Sequence, residues 1–188
     1  WNAICAELVS RRFDKSVPSI ARRFAHHTIE AQSPSRAIRP LLSAIRFTFR
    51  VGAQNAFEFL HRELRNVIEP ANLPDEDPRY AEYLIYTGYH FHADRYQPAQ
   101  AWEQFQRALQ IARNAEQIDI QAEALRGLGK LHHRSLEFDQ AIEHFKEALS
   151  LLDDTASVLQ RGMVLRSLGG TLLRTGRIRR ARRTLQEA

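Results

Sequence analysis

Over residues 124–149, ALRGLGKLHHRSLEFDQAIEHFKEAL, apolar and small residues recur at helical intervals in two blocks separated by a polar turn. In the first block Leu125, Leu128 and Leu131 or His132 share a face, and Gly129 leaves room on it for a neighbouring helix. In the second, Ala141, Phe145 and Ala148 with Leu149 share a face, so that a ring is flanked by small residues one turn away on either side. This spacing predicts two antiparallel helices that interlock large against small. A pair this thin cannot bury its apolar faces unless another pair stacks on it.

The pattern returns at a fixed interval. Residues 164–188, VLRSLGGTLLRTGRIRRARRTLQEA, align at an offset of 40: Leu165, Leu168 and Gly169 fall on Leu125, Leu128 and Gly129, and Ile178, Ala181, Leu185 and Ala188 fall on Phe138, Ala141, Phe145 and Ala148. Upstream, YLIYTGYHFHADRYQPAQAWEQFQRAL (83–109) places Leu84 and Gly88 41 residues before their counterparts, and Ala101, Phe105 and Ala108 40 before. Its turn is therefore one residue longer, at about Arg95–Pro98. Three units result, at about 80–119, 120–160 and 161–188, the last cut short.

The first 79 residues are less regular. Ser33-Pro34 is a helix start with serine as cap and proline in the first turn, and Ser16-Val17-Pro18 is a less complete one. Pro40 is expected to delay the regular helix to about Arg39–Leu41 or to kink what precedes it. Four helices are expected, at about 2–13, 18–31, 39–51 and 53–68, making two degenerate pairs over residues 1–70. The segment EPANLPDEDP (69–78), with three prolines and three consecutive acids, reads as a connection centred on 71–79, and Asp77-Pro78 as the next helix start.

The series Leu125-Gly127-Leu128-Gly129-His132-Phe138-Ala141-Phe145-Ala148 resembles the tetratricopeptide repeat (TPR), with His132 standing where tyrosine is usual. The match extends over residues 80–188. The period is about 40 rather than the usual 34, and the closing proline is absent. The extra residues, about 1.7 turns, are expected to lengthen the helices around Ile111–Ala122 and Leu151–Gln160. The resemblance implies an all-α fold, a right-handed α-α superhelical solenoid of TPR-like hairpins, whose first helices line the concave side. Such long-period repeats look like those on bacterial multidomain regulators, including signalling ATPases that carry a helical sensor arm, and on peptide-sensing regulators.

Charge alters this picture by its distribution more than by its total of +5. Lys and Arg stand against Asp and Glu as 11 to 5 over residues 1–65, 8 to 16 over 66–155, and 8 to 1 over 156–188. An acidic middle between basic ends is not the simplest design for lying along a phosphate backbone. Cys5 is the single cysteine, which excludes an internal disulfide framework and fits a cytoplasmic setting. No run of 18 apolar residues occurs, so no membrane-spanning helix and no membrane partner are expected. The chain opens on Trp1 without a basic-then-apolar leader and is read as a piece of a longer protein.

Catalytic chemistry finds no support in the spacing. His90 and His92 are two apart and His132 and His133 one apart, whereas a helix presents two ligands to one metal most readily at i, i+4. His92 and His133 hold equivalent positions in adjacent units, but only Asp94 is nearby as a third ligand, so no metal is expected. His132 is expected in the aromatic core slot and His133 in water. No serine elbow, Cys/His pair, phosphate-binding glycine loop or calcium loop occurs, and neither an enzyme nor a cofactor is expected.

What remains is the surface made by stacking. The first-helix positions not used for the core form ladders: Glu82, Tyr89 and His92; Glu123, Arg126, Lys130 and His133; Met163, Arg166 and Leu173. Arg126, Lys130 and His133 lie on one stripe, and with Arg166 they make a cationic patch beside Tyr89. Such a patch suits an acidic or carboxylate-ended segment of a partner protein, or another domain of the parent chain. The expected function is a non-catalytic protein-binding scaffold or sensor arm of a larger bacterial signalling or regulatory protein. The rival is a nucleic-acid-binding arm using Arg22, Arg23 and the C-terminal arginines Arg177, Arg179, Arg180, Arg182 and Arg183.

Overall fold

The computed structural model describes residues 34–74, 76–93, 97–152 and 158–188, without the side chains of 34–36 and 93. The helices expected at about 2–13 and 18–31, with Cys5, Arg22 and Arg23, lie outside the described residues, as does Asp94. All regular structure among the described residues is helical. The chain divides into two compact units, Trp1–Asp75 and Glu76–Ala188, at a point inside the proline-rich acidic connection.

The described part of the first unit is a hairpin of α1 (Pro34–Arg50) and α2 (Gln54–Ile68). The helix starts at Pro34, where Ser33-Pro34 places it, and runs through Pro40 instead of being delayed to residue 39. An internal proline forfeits one backbone bond and costs about 3 kcal/mol. Here Ala37, Ile38, Leu41, Leu42 and Ile45 are buried against α2, and each large side chain contributes about 1.5–3 kcal/mol, so burial outweighs the proline.

The second unit holds α3 (Pro78–Ala93), α4 (Pro98–Asn114), α5 (Ile118–Arg134), α6 (Phe138–Leu151), α7 (Val158–Arg174) and α8 (Ile178–Glu187). The Asp77 carboxylate accepts the Arg79 backbone N–H at 2.9 Å and caps α3, which begins at Pro78 as its sequence signal indicates. Each helix packs on the next, and α3 meets α5 and α5 meets α7. The chain turns at Ala115–Gln117 between α4 and α5, inside the stretch around which longer helices are expected. The added length lies in 17-residue helices at α4, α5 and α7.

Glycines decide how these helices meet. A Cβ at Gly88 of α3 would lie 2.8 Å from the Phe105 ring of α4, one at Gly129 of α5 2.5 Å from the Phe145 ring of α6, and one at Gly169 of α7 2.6 Å from Leu185 of α8. Real Cβ atoms do not approach so closely, so the large residue of each second helix occupies the gap left on the first. Ala101, Ala141 and Ala181 are each fully buried one turn before that large residue.

The turns share one geometry. At Gly52, Glu116, Leu136 and Gly176 the backbone is left-handed, with φ of 69, 54, 65 and 72°. The following N–H reaches back five residues in every case: Ala53 to Thr48, Gln117 to Ala112, Glu137 to His132 and Arg177 to Leu172, at 2.9–3.0 Å. This is the Schellman closure, which satisfies carbonyls orphaned at a helix end. The turn before α4 is one residue longer, Gln97 N–H bonding Phe91 C=O. On α8 Ile178 is 60% exposed, although the repeat alignment gives it a core position, because α8 packs mainly on α7.

Candidate functional site

Residues 123, 126 and 130 follow one stripe of α5, and they meet Tyr89 of α3. The Arg126 guanidinium forks onto Glu123, Nη2 to Oε1 at 2.5 Å and Nε to Oε2 at 3.0 Å. Arg126 is only 3% exposed, so the group expected to face a partner is spent within the fold. Its Cζ lies 5.3 Å from the Tyr89 ring centroid, and Lys130 Nζ lies 5.1 Å from the same centroid. Tyr89, 2% exposed, packs edge-on against Phe105 with centroids 5.0 Å apart.

Electrostatics follow from this crowding. Burial alone would raise the Glu123 carboxyl, but Arg126, Tyr89 and Lys130 together hold it below its ordinary range. Burial pushes the Tyr89 hydroxyl well up. Against its own desolvation, Arg126 is held firmly charged by Glu123. Lys130 is pushed down to about 8 by burial, then by Arg126 and Arg166, with Glu123 opposing. His92 is pushed down to about 4 by burial, then by Lys130 and Arg134.

The remaining ladder residues divide by exposure. Arg166 and Leu173 of α7 are exposed, while Glu82, His92, Glu123, Lys130, His133 and Met163 are half-buried. His133 does not simply face water: its Nδ1 lies 2.8 Å from Thr171 Oγ1 on α7. The stripe thus brings together Tyr89, Glu123, Arg126 and Lys130, with Arg166 near enough to act on Lys130 through its charge. Two cations, Lys130 and Arg166, have no carboxylate at salt-bridge distance among the described residues.

His132 does pack inward, but with partners the repeat pattern did not foretell. Its ring stacks on His144 of α6 at 5.2 Å and meets Trp102 of α4 edge-on at 5.1 Å, and its Nδ1 lies 2.6 Å from Glu137 Oε2. His144 is pushed down by burial and by His132. Polar ties one period apart were also missed: Gln160 Nε2 donates to Asp119 C=O at 2.6 Å, and Arg134 Nη1 to His92 C=O at 2.9 Å. Their signal was available, since polar residues about 40 apart occupy matching positions on successive hairpins. Among the described residues no three His, Cys, Asp or Glu side chains are grouped to hold a metal ion. Nor is any described helix long and apolar enough to cross a membrane.

No protein-family model matches the chain, and no curated protein does so either. Among solved structures, the crystal structure of BtubC (BKLC) from P. vanneervenii matches with a TM-score of 0.69 at 15% sequence identity, covering 98% of this chain and 76% of that one. At that identity the likeness is one of fold.

Proposed function

We propose that residues 76–188 form a TPR-like solenoid that binds an acidic polypeptide segment without catalysis, as the scaffold or sensor arm of a larger bacterial signalling or regulatory protein in the cytoplasm. The glycine-to-large-residue pairing that recurs in three successive hairpins supports a repeat architecture, and the contacts of α5 with both α3 and α7 support a continuous first-helix face. One observation carries the ligand preference. The forked Glu123 already neutralises Arg126, so Lys130 and Arg166 are surplus positive charge on an otherwise half-buried surface beside an aromatic ring. Surplus charge of this kind steers and orients an oppositely charged segment.

The direct test is selection from a random-peptide display library against the chain. Enrichment of acidic peptides that are lost when Lys130→Glu and Arg166→Glu are combined, with helical circular dichroism unchanged, supports the proposal. Enrichment indifferent to that reversal, or no enrichment, ends it. Nucleic acid is the rival ligand, favoured by the exposed Arg179, Arg180, Arg182 and Arg183 of α8. Duplex retention falling steeply with salt, and lost on neutralising those four arginines, would favour the rival.

A further inference from the structure

Lys130 and Arg126 share one aromatic ring, and this crowding sets Lys130 apart from Lys146, the other lysine among the described residues. Tyr89 of α3 lies beneath both cations. The carboxylate nearest to hand, Glu123, is forked onto Arg126. Arg166 of α7 adds repulsion, and His92 of α3 is itself held neutral by Lys130 and Arg134 after burial. Among the described residues, the groups facing Lys130 are thus two cations, one committed carboxylate, one buried phenol and one neutral imidazole. The Tyr89 ring face attracts the ammonium, but burial beside Arg126 and Arg166, with Glu123 committed to Arg126, outweighs that attraction and favours the free base. The downward shift to about 8 agrees with that geometry. Lys146 is the opposite case, 61% exposed and paired with Glu143 at 2.9 Å.

We propose that Lys130 is a nucleophilic lysine and a modification site for small anionic acyl donors of the acyl-phosphate class. The neutral amine attacks the donor's carbonyl carbon. A C–N bond forms, the C–O bond to the phosphoryl group breaks, inorganic phosphate leaves with the electron pair, and the amine proton passes to solvent. The step needs no oxidant, reductant or further co-reactant. The exposed Arg166 draws the donor's phosphate toward the amine. The amide product is neutral, so acylation removes one of the two surplus cations from the α3/α5/α7 face. That consequence for binding rests on the proposed function, whereas the acyl transfer itself does not.

The chain carries three lysines, Lys15, Lys130 and Lys146, so site occupancy is simple to read. The 188-residue chain is incubated with acetyl phosphate at pH 7, 8 and 9, and acetylation at each lysine is followed by peptide mass spectrometry. Lys130 is expected to react at least about fivefold faster than Lys146 at pH 7–8, its own rate levelling off near pH 9 as its amine becomes neutral. Arg166→Gln is expected to slow Lys130 severalfold while leaving Lys146 unchanged. Reaction at Lys130 no faster than at Lys146, or indifferent to Arg166→Gln, overturns the proposal. Because no binding is measured, failure here leaves peptide selection as a separate test of the α3/α5/α7 face.

Discussion

The ring of Phe105 on α4 occupies the space that a Cβ would need at Gly127 on α5, the first helix of the following hairpin. The same ring also fills the gap at Gly88 on α3, so one residue is clasped between the helix before it and the helix after it. Phe105 is fully buried and has no direction in which to retreat. The α3–α4 hairpin is therefore locked to α5 by the same device that closes it.

Substitution of Gly127→Ala should destabilise the protein by about 1–3 kcal/mol, overpacking outweighing the gain of about 1 kcal/mol in helix propensity. Gly170 is the internal control, because nothing lies within 4 Å of a Cβ there. Gly170→Ala should leave stability unchanged or raise it. Urea midpoints of the two variants against the parent chain check the opposite signs.

Leu136 holds the same left-handed turn position as Gly176, 40 residues on, and is 63% exposed. A side chain there adds strain without compensating burial. Leu136→Gly should raise stability by about 0.5–1 kcal/mol, and Gly176→Ala should lower it by about 1 kcal/mol. Thermal denaturation at fixed pH reads both.

Glu123 and Arg126 form an ion pair whose side chains are 14% and 4% exposed, and removing one partner strands the other. Arg126→Met should cost about 3–5 kcal/mol, most of it recovered in the Glu123→Leu/Arg126→Met double variant. The fold lowers the Glu123 pKa, so its contribution is present above the ordinary carboxylate range and is lost as pH falls through the lowered value. Urea unfolding between pH 7 and 3 should show a shallower acid limb in the double variant than in the parent.

His92 and His144 are both pushed down, so each resists protonation in the folded chain and the unfolded chain takes up those protons first. Stability should then fall as pH drops below about 6.5, the ordinary histidine value. Imidazole proton NMR titration should place His92 near 4. His144→Gln should flatten the decline between pH 7 and 5.

Much of the architecture was legible because it is periodic. Gly88, Gly129 and Gly169 each meet the large residue of their own second helix, as the 40-residue alignment requires, the longer turn before Pro98 follows from the shift of that alignment by one residue, and the Asp77-Pro78 start follows from local chemistry. Pro40 misled because a local rule was overridden by the buried face of α1. The site was half legible. Helical spacing placed Arg126 and Lys130 on one stripe, yet spacing does not say what meets a stripe, and the fork onto Glu123 consumes the guanidinium expected to serve a partner. His133 on Thr171 and His132 on His144 were hidden for a related reason, since their partners lie on other helices and the alignment tracked apolar positions only.

The most direct measurement is a charge swap on the proposed binding face. An acidic peptide from the display selection is titrated by calorimetry into the parent chain and into the Lys130→Glu/Arg166→Glu variant, alongside a lysine-substituted version of the same peptide. Preference for the acidic peptide in the parent chain and for the lysine version in the variant, both weakening with salt, is the expected result. Equal affinity of the acidic peptide for both proteins would contradict the assignment of that face.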